Sequence, residues 1–228
     1  ASTAANTVVE GDINFTITGG SGADTITSGG GVDTISTGAG GGTVTAGGGA
    51  DLITLGGGTD TVVTTGSVGG VDEITTFTAG TDIIKLDLSD IEGLSDITDL
   101  VNLDVGSMAA GAMVTAGTAG AGAYDLVTGT GDEFLVVEGY ASASALETGL
   151  EAGGTNVITV NGAWTAKDAF LVGYDNGTDS WIAVVSAAAA VSDNGTFVSG
   201  DLTVTNLVKV VGMADATDLT STDLVLIA

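Results

Sequence analysis

The sequence predicts an all-β protein in which a short parallel β-roll is followed by a β-rich C-terminal domain carrying one or two short helices. Three observations carry the prediction. Between Gly19 and Val63 the chain repeats every nine residues, with aspartate at 24, 33, 51 and 60 and an aliphatic side chain at Ile26, Ile35, Val44, Ile53 and Val62. A fixed internal period of this length marks small units that bury a core only by stacking. The composition is glycine-rich and lacks proline and cysteine. The second half alternates short runs of branched and aromatic residues with Asn-Gly punctuation, the pattern of strands and tight turns.

Size and charge narrow the possibilities. At 228 residues the chain is long enough for one large β domain or two smaller ones. Three Lys+Arg stand against 29 Asp+Glu, with no His, a formal net charge of −26. A nucleic acid is excluded as a natural partner, because binding a polyanion needs clustered cations. Hydrophobic residues make up 43% and mean hydropathy is +0.47, which favours folding over the disorder that a high charge would otherwise suggest. The self-repulsion must still be offset, and bound divalent cations are the direct means.

Each repeat has a physical reading of its own. Glycines permit the positive φ and close backbone approach of a turn packed against its neighbours. Aspartate supplies a hard oxygen ligand suited to calcium, with carbonyls exposed by the turn as the others. The triplet Thr25-Ile26-Thr27 is a short strand with its aliphatic side chain inward and its threonines outward. Ile17 lies nine residues before Ile26, so Asp12–Thr18 is read as an N-terminal cap in phase with the repeats.

The pattern Gly-Gly-any-Gly-any-Asp-any-aliphatic-any, as in Gly19-Gly20-Ser21-Gly22-Ala23-Asp24-Thr25-Ile26-Thr27, resembles the calcium-binding nonapeptide of the RTX (repeats-in-toxin) family. The resemblance implies Ca2+ as the cofactor and two nonapeptides per turn, so that positions eighteen apart stack. On one side Asp33 then pairs with Asp51. On the other, Gly42 interrupts the row between Asp24 and Asp60, and both of those sites are expected to be weaker for want of a stacked aspartate. The segment Val71–Leu88 is similar to those that close RTX rolls, which makes Asp72 and Asp82 the last candidate ligands. The metal set is therefore Asp24, Asp33, Asp51, Asp60, Asp72 and Asp82.

Further along, Leu94, Ile97, Leu100 and Val101 fall at helical spacing behind Ser95 and Asp96, which predicts a short helix. Val105–Tyr124 is uncharged over the length of a membrane span but consists mostly of Gly, Ala, Ser and Thr, so a glycine-rich loop or packed β segment is expected. Phe134–Val137 reads as a buried strand, Ser142–Glu151 as helical turns ended by Gly153-Gly154, and Asn156–Val160 as a strand. Ala169–Tyr174 and Ser180–Val185 flank Asp175–Asp179 as a hairpin, and strands are expected at Leu202–Val204 and Leu207–Val211. The organisation is thus a roll with cap and closing segment at 1–88, a Gly/Ala-rich connection at 89–130 and a β-rich domain at 131–228. The last part resembles the C-terminal regions of RTX and surface-layer proteins exported by type I secretion. Asp223–Ala228 is similar to their export signals. No signal-peptide pattern is visible, and a start at Ala1 rather than Met implies a processed piece of a longer chain.

Catalysis finds little support. Without His or Cys there is no triad, thiol nucleophile or imidazole metal site. None of Lys85, Lys167 and Lys209 follows a glycine as a phosphate loop requires. Asp132, Glu133 and Glu138 are the only crowded carboxylates outside the roll, and neighbouring acids more often form a solvated strand edge. Trp164, Trp181, Tyr140, Tyr174 and Phe170 are candidates for a carbohydrate platform, against core packing as the plainer reading. The glycosylation patterns at Asn176 and Asn194 are better explained as turns; Asn14 also matches.

The expected function is that of a calcium-dependent extracellular structural protein, not an enzyme, assembling on a bacterial cell surface as an S-layer or filament. Its expected partners are calcium ions, further copies of itself in an oligomer or lattice, the type I secretion machinery and, as a candidate, a cell-surface polysaccharide. The alternative is a secretion and folding module of a larger RTX hydrolase or adhesin.

Overall fold

The computed structural model describes residues 12–64, 70–87, 91, 99–100, 106–107, 113–118, 124–127, 134–161, 164–192 and 195–227. The nine-residue period becomes a two-sheet roll. Strands β1 (Thr16–Thr18), β3 (Thr34–Ser36), β5 (Leu52–Thr54) and β7 (Asp72–Thr75) stack in parallel on one side. On the other side stack β2 (Thr25–Thr27), β4 (Thr43–Thr45), β6 (Thr61–Thr64) and β8 (Ile83–Asp87). Thr16 opposes Thr34 and Thr34 opposes Leu52, so one turn takes two repeats, as expected. The inward ladder Ile26, Ile35, Val44, Ile53, Val62, Ile74 and Ile84 is buried.

Glycine is required where successive turns touch. Gly38 sits at φ +89°, and a Cβ there would lie 2.2 Å from the Gly20 carbonyl oxygen. At Gly56 a Cβ would lie 1.4 Å from the Gly38 oxygen, so no other residue fits without moving the backbone.

Of the segment Val71–Leu88, residues 71–87 continue the stack but do not end it. β17 (Leu202–Val211) pairs in parallel with β7, and β18 (Leu224–Ile227) pairs in parallel with β8. Beyond β17 the first sheet continues through β16 (Ser180–Ala187), β15 (Asp168–Asp175), β13 (Phe134–Glu138) and β11 (Met113–Thr118). On the other side β10 (Gly106–Ser107) flanks β18, while β12 (Tyr124–Val127) and β14 (Ile158–Asn161) form a separate pair. Strand pairing thus crosses the boundary drawn between roll and C-terminal half. One hydrophobic core runs from Ile26 through Ile84 to Phe134, Val136, Leu171, Val208 and Leu226. Alternate residues of the same strands, Leu135, Val137, Phe170 and Val172, face a second core. Burial on both faces explains why β13 reads as a continuous apolar run.

Helix α1 (Ala143–Leu150) forms where expected. The Ser142 hydroxyl accepts from the Ala145 amide at 3.2 Å, and Gly153 turns away at φ +91°. Its acids are tied to the sheet: Glu147 accepts from the Val204 amide, and Glu151 from those of Gly200 and Leu202. The β15–β16 hairpin also forms. Asn176 Oδ1 accepts from the Thr178 and Asp179 amides, with Gly177 at φ +80°. The two strands predicted near 202–211 are one, accommodated by a register shift opposite Ile182/Ala183. The helix predicted behind Ser95 is corrected in part: Asp99–Leu100 form strand β9, held by pairing with β15, and 92–98 lie outside the described residues. Edge pairing to a long neighbouring strand overrides the weak helical spacing there. Among the described residues no helix is long and apolar enough to cross a membrane.

Candidate calcium centre

The aspartates end the turns, one residue before each short strand or, at Asp72, on its first residue. Stacking brings the backbone N–H of one level against the carboxylate of the next. Asp33 Oδ1 accepts from the Phe15 amide at 2.7 Å, Asp51 Oδ1 from Asp33 at 2.7 Å, and Asp72 Oδ1 from Asp51 at 3.0 Å. Across the roll, Asp60 Oδ1 accepts from Gly42 at 2.8 Å, and Asp82 Oδ1 from Asp60 at 2.9 Å. The expected pairing of Asp33 with Asp51 is present. Asp60, however, does not lack a stacked aspartate, because a four-residue lengthening of the turn brings Asp82 to the place that strict eighteen-residue spacing gives to Thr78. Asp24 does face the gap at Gly42, and its Oδ2 is held by the Gly20 amide at 2.5 Å.

One oxygen of each carboxylate is used in this way, and the others carry the chemistry. Asp24 Oδ1, Asp33 Oδ2, Asp51 Oδ2 and Asp60 Oδ2 are buried without a hydrogen-bond partner. A buried carboxylate oxygen left unpaired is strongly unfavourable. These are hard anionic oxygens next to turns rich in backbone carbonyls, the donor set that calcium takes. Among the described residues no three acidic, His or Cys side chains converge, so an ion here draws on carboxylates together with main-chain oxygen. Lys209 does not neutralise them, being engaged by Glu73 at 3.1 Å and Asp179 at 3.2 Å. Asp82 differs, since both its oxygens accept amides, from Asp60 and from Thr78 at 2.9 Å.

Electrostatics agree with the geometry. Burial pushes the Asp72 carboxyl up to about 7, with the Asp51 charge adding to the rise. Burial also raises Asp51, with the charge of Asp33 a smaller cause. Asp60 is raised by burial too, with the charge of Asp82 a smaller cause and the hydrogen bond from the Gly42 amide acting in the lowering direction. An acid whose folded pKa is raised stabilises the fold fully below its unfolded value, and that contribution disappears as pH rises through the folded value. Calcium-stripped protein in metal-free buffer is therefore expected to retain more β structure near pH 4 than above pH 7, where the roll unfolds. Saturating calcium should reverse the trend, because protons compete with the ion. Circular dichroism across pH, with and without calcium, checks both signs.

The other candidates resolve differently. Asp132 and Glu133 lie outside the described residues. Glu138 instead joins Asp175 and Asp215 at a cavity of about 370 Å³. Burial, then the charges of Asp215 and Asp175, raises its pKa. Asp175 there accepts from the Gly177 and Ala216 amides, and Asp215 from Thr217, so these acids cap turns. The carbohydrate platform does not form: Trp164, Tyr174, Phe170 and Tyr140 are buried, and Trp164 packs edge-on against Phe170 and Phe197. Trp181 is half-buried, stacked on Tyr174 at 5.2 Å and covered by Lys209. Asn14 Oδ1 accepts from the Val32 amide, Asn176 makes its turn, and Asn194 lies outside the described residues.

A family model of the RTX calcium-binding nonapeptide repeat matches residues 16–44 and 43–62, in four copies. The match runs from β1 into β6, the stretch that holds all four unpartnered carboxylate oxygens found among the described residues. No curated protein and no solved structure matches the chain. The chain thus carries a calcium-binding RTX roll, and its cofactor is Ca2+. RTX repeat proteins are typically secreted by type I systems.

Asp223 escaped the sequence reading as part of the site. It is buried, and its Oδ1 accepts from the Gly80 amide at 2.6 Å. The signal was present, since Asp223-Leu224-Val225-Leu226 repeats the aspartate-then-aliphatic-strand pattern of Asp82-Ile83-Ile84.

Proposed function

We propose that this chain is a calcium-dependent structural protein that acts outside a bacterial cell, exported by type I secretion and self-assembling on the cell surface as an S-layer or filament. The observation that carries the reading is the set of four buried, unpartnered carboxylate oxygens within RTX repeats, in a chain of net charge −26. Such a chain repels its own copies until ions neutralise it, so calcium both folds the roll and permits acidic faces to approach. Asp24, Asp33, Asp51, Asp60 and Asp72 supply the ligands, and Asp82, whose two oxygens both accept amides, holds Asp60 in place. No enzymatic activity is part of the proposal. Electron microscopy of purified protein checks it: sheets or filaments should appear with millimolar calcium and dissolve in chelator. Particles that stay monomeric in both conditions refute assembly.

A second reading, a secretion and folding module of a larger RTX hydrolase or adhesin, draws on the core shared between the roll and the C-terminal strands. In that case the protein folds on calcium addition yet remains monomeric in the same images.

A further inference from the structure

The row on the β2–β8 side of the roll does not stop at Asp82. Asp223 is 1% exposed and lies 141 positions beyond Asp82 in sequence. Every oxygen it offers is in use: Oδ1 accepts from the Gly80 amide, Oδ2 from the amide and hydroxyl of Thr220 at 2.7 and 2.8 Å, and its carbonyl from the Ile84 amide at 2.7 Å. Both carboxylate oxygens are thus engaged, unlike those of the four aspartates that each keep an unpartnered oxygen. What it holds is the turn at 78–82.

We infer that Asp223 is a positioning residue for the calcium-facing carboxylate of Asp60, acting through the Gly80 turn and Asp82. The inference rests on the calcium reading of the roll. Gly80 sits at φ +74° at the tip of a turn in which the Thr78 carbonyl accepts from Thr81 and Asp82. That turn aims the Thr78 amide at Asp82 Oδ2, and Asp82 Oδ1 in turn fixes the Asp60 amide. Asp60 then has Oδ1 on Gly42 and Oδ2 free. Three carboxylates are thus linked through backbone amides, and only the last presents an unpartnered oxygen. Asp223 makes no hydrogen bond to Asp33, Asp51 or Asp72, so its influence is confined to one side of the roll.

Calcium titration by calorimetry on the intact chain tests this. Losing a group that orients a metal ligand typically weakens binding about 10- to 100-fold. Asp223→Ala is expected to weaken calcium binding by at least about tenfold. Asp223→Asn, which keeps an acceptor for Gly80 but presents a donor towards Thr220, should fall between it and the native protein. Combining either change with Asp60→Ala should add nothing to Asp60→Ala alone, whereas combining it with Asp51→Ala should multiply the losses. If Asp223→Ala does not fold in saturating calcium, the same cycles run on Asp223→Asn. Native affinity in both variants, or losses that multiply with Asp60→Ala as they do with Asp51→Ala, overturns the inference. Failure of the unmodified protein to take up calcium would instead refute the calcium reading itself.

Discussion

Stripping calcium from the purified protein is expected to unfold the roll and carry part of the C-terminal half with it. Each repeat buries only one or two aliphatic side chains for nine ordered residues, and the backbone entropy of so many residues is not offset by so small an apolar core. Four unpaired buried carboxylate oxygens add a further cost when no ion is bound. Binding at a thousandfold excess over Kd stabilises a site by about 4 kcal/mol, so a few sites of this kind exceed the whole stability of an ordinary domain, on the order of 5–15 kcal/mol. The loss should not stay local, because β17 pairs with β7, β18 pairs with β8, and one core spans both halves. Circular dichroism should show β signal falling in chelator and returning with calcium. Near-ultraviolet signal from Trp181, which Lys209 bridges to Glu73 of β7, should change in the same transition. A roll that keeps its β signal in excess chelator at neutral pH contradicts the ion-dependent account.

What was legible in the sequence was whatever is governed by local spacing. The nine-residue period fixed which residues point inward, and Ile26, Ile35, Val44, Ile53 and Val62 are all buried. Asn176-Gly177 announced its hairpin because few other residues meet the turn's backbone demands, and Ser142 announced its helix by capping it. What was not legible depends on partners remote in sequence. Asp99–Leu100 look helical by spacing but are strand because β15 lies beside them. Asp60 looked unsupported only while an unbroken eighteen-residue period was assumed; the 22-residue step from Asp60 supplies Asp82. Asp223-Leu224-Val225-Leu226 carries the local pattern of a roll strand, but that it docks in parallel on β8 depends on a partner remote in sequence.

Replacing Asp51 by alanine is expected to do more harm than the same change at Asp24, and the hydrogen-bond ladder gives the reason. Asp51 occupies the middle of its row: its Oδ1 accepts from the Asp33 amide, and its own amide donates to Asp72. Asp51→Ala removes one unpartnered oxygen from the ion's reach and also strands the buried Asp33 N–H, a loss of about 1–3 kcal/mol before any ligand effect. Asp33→Ala strands the Phe15 amide in the same manner, nearer the end of the roll. Asp24→Ala also removes a free oxygen, but it releases only the Gly20 amide, which is half-buried and within reach of water. Since about 1.4 kcal/mol is a factor of ten, the calcium midpoint for forming β structure should rise about tenfold further in Asp51→Ala than in Asp24→Ala. Dichroism during calcium titration of the three variants measures it. Equal shifts at all three positions would mean that ligand loss alone sets the effect and that the amide ladder contributes nothing to holding the ions.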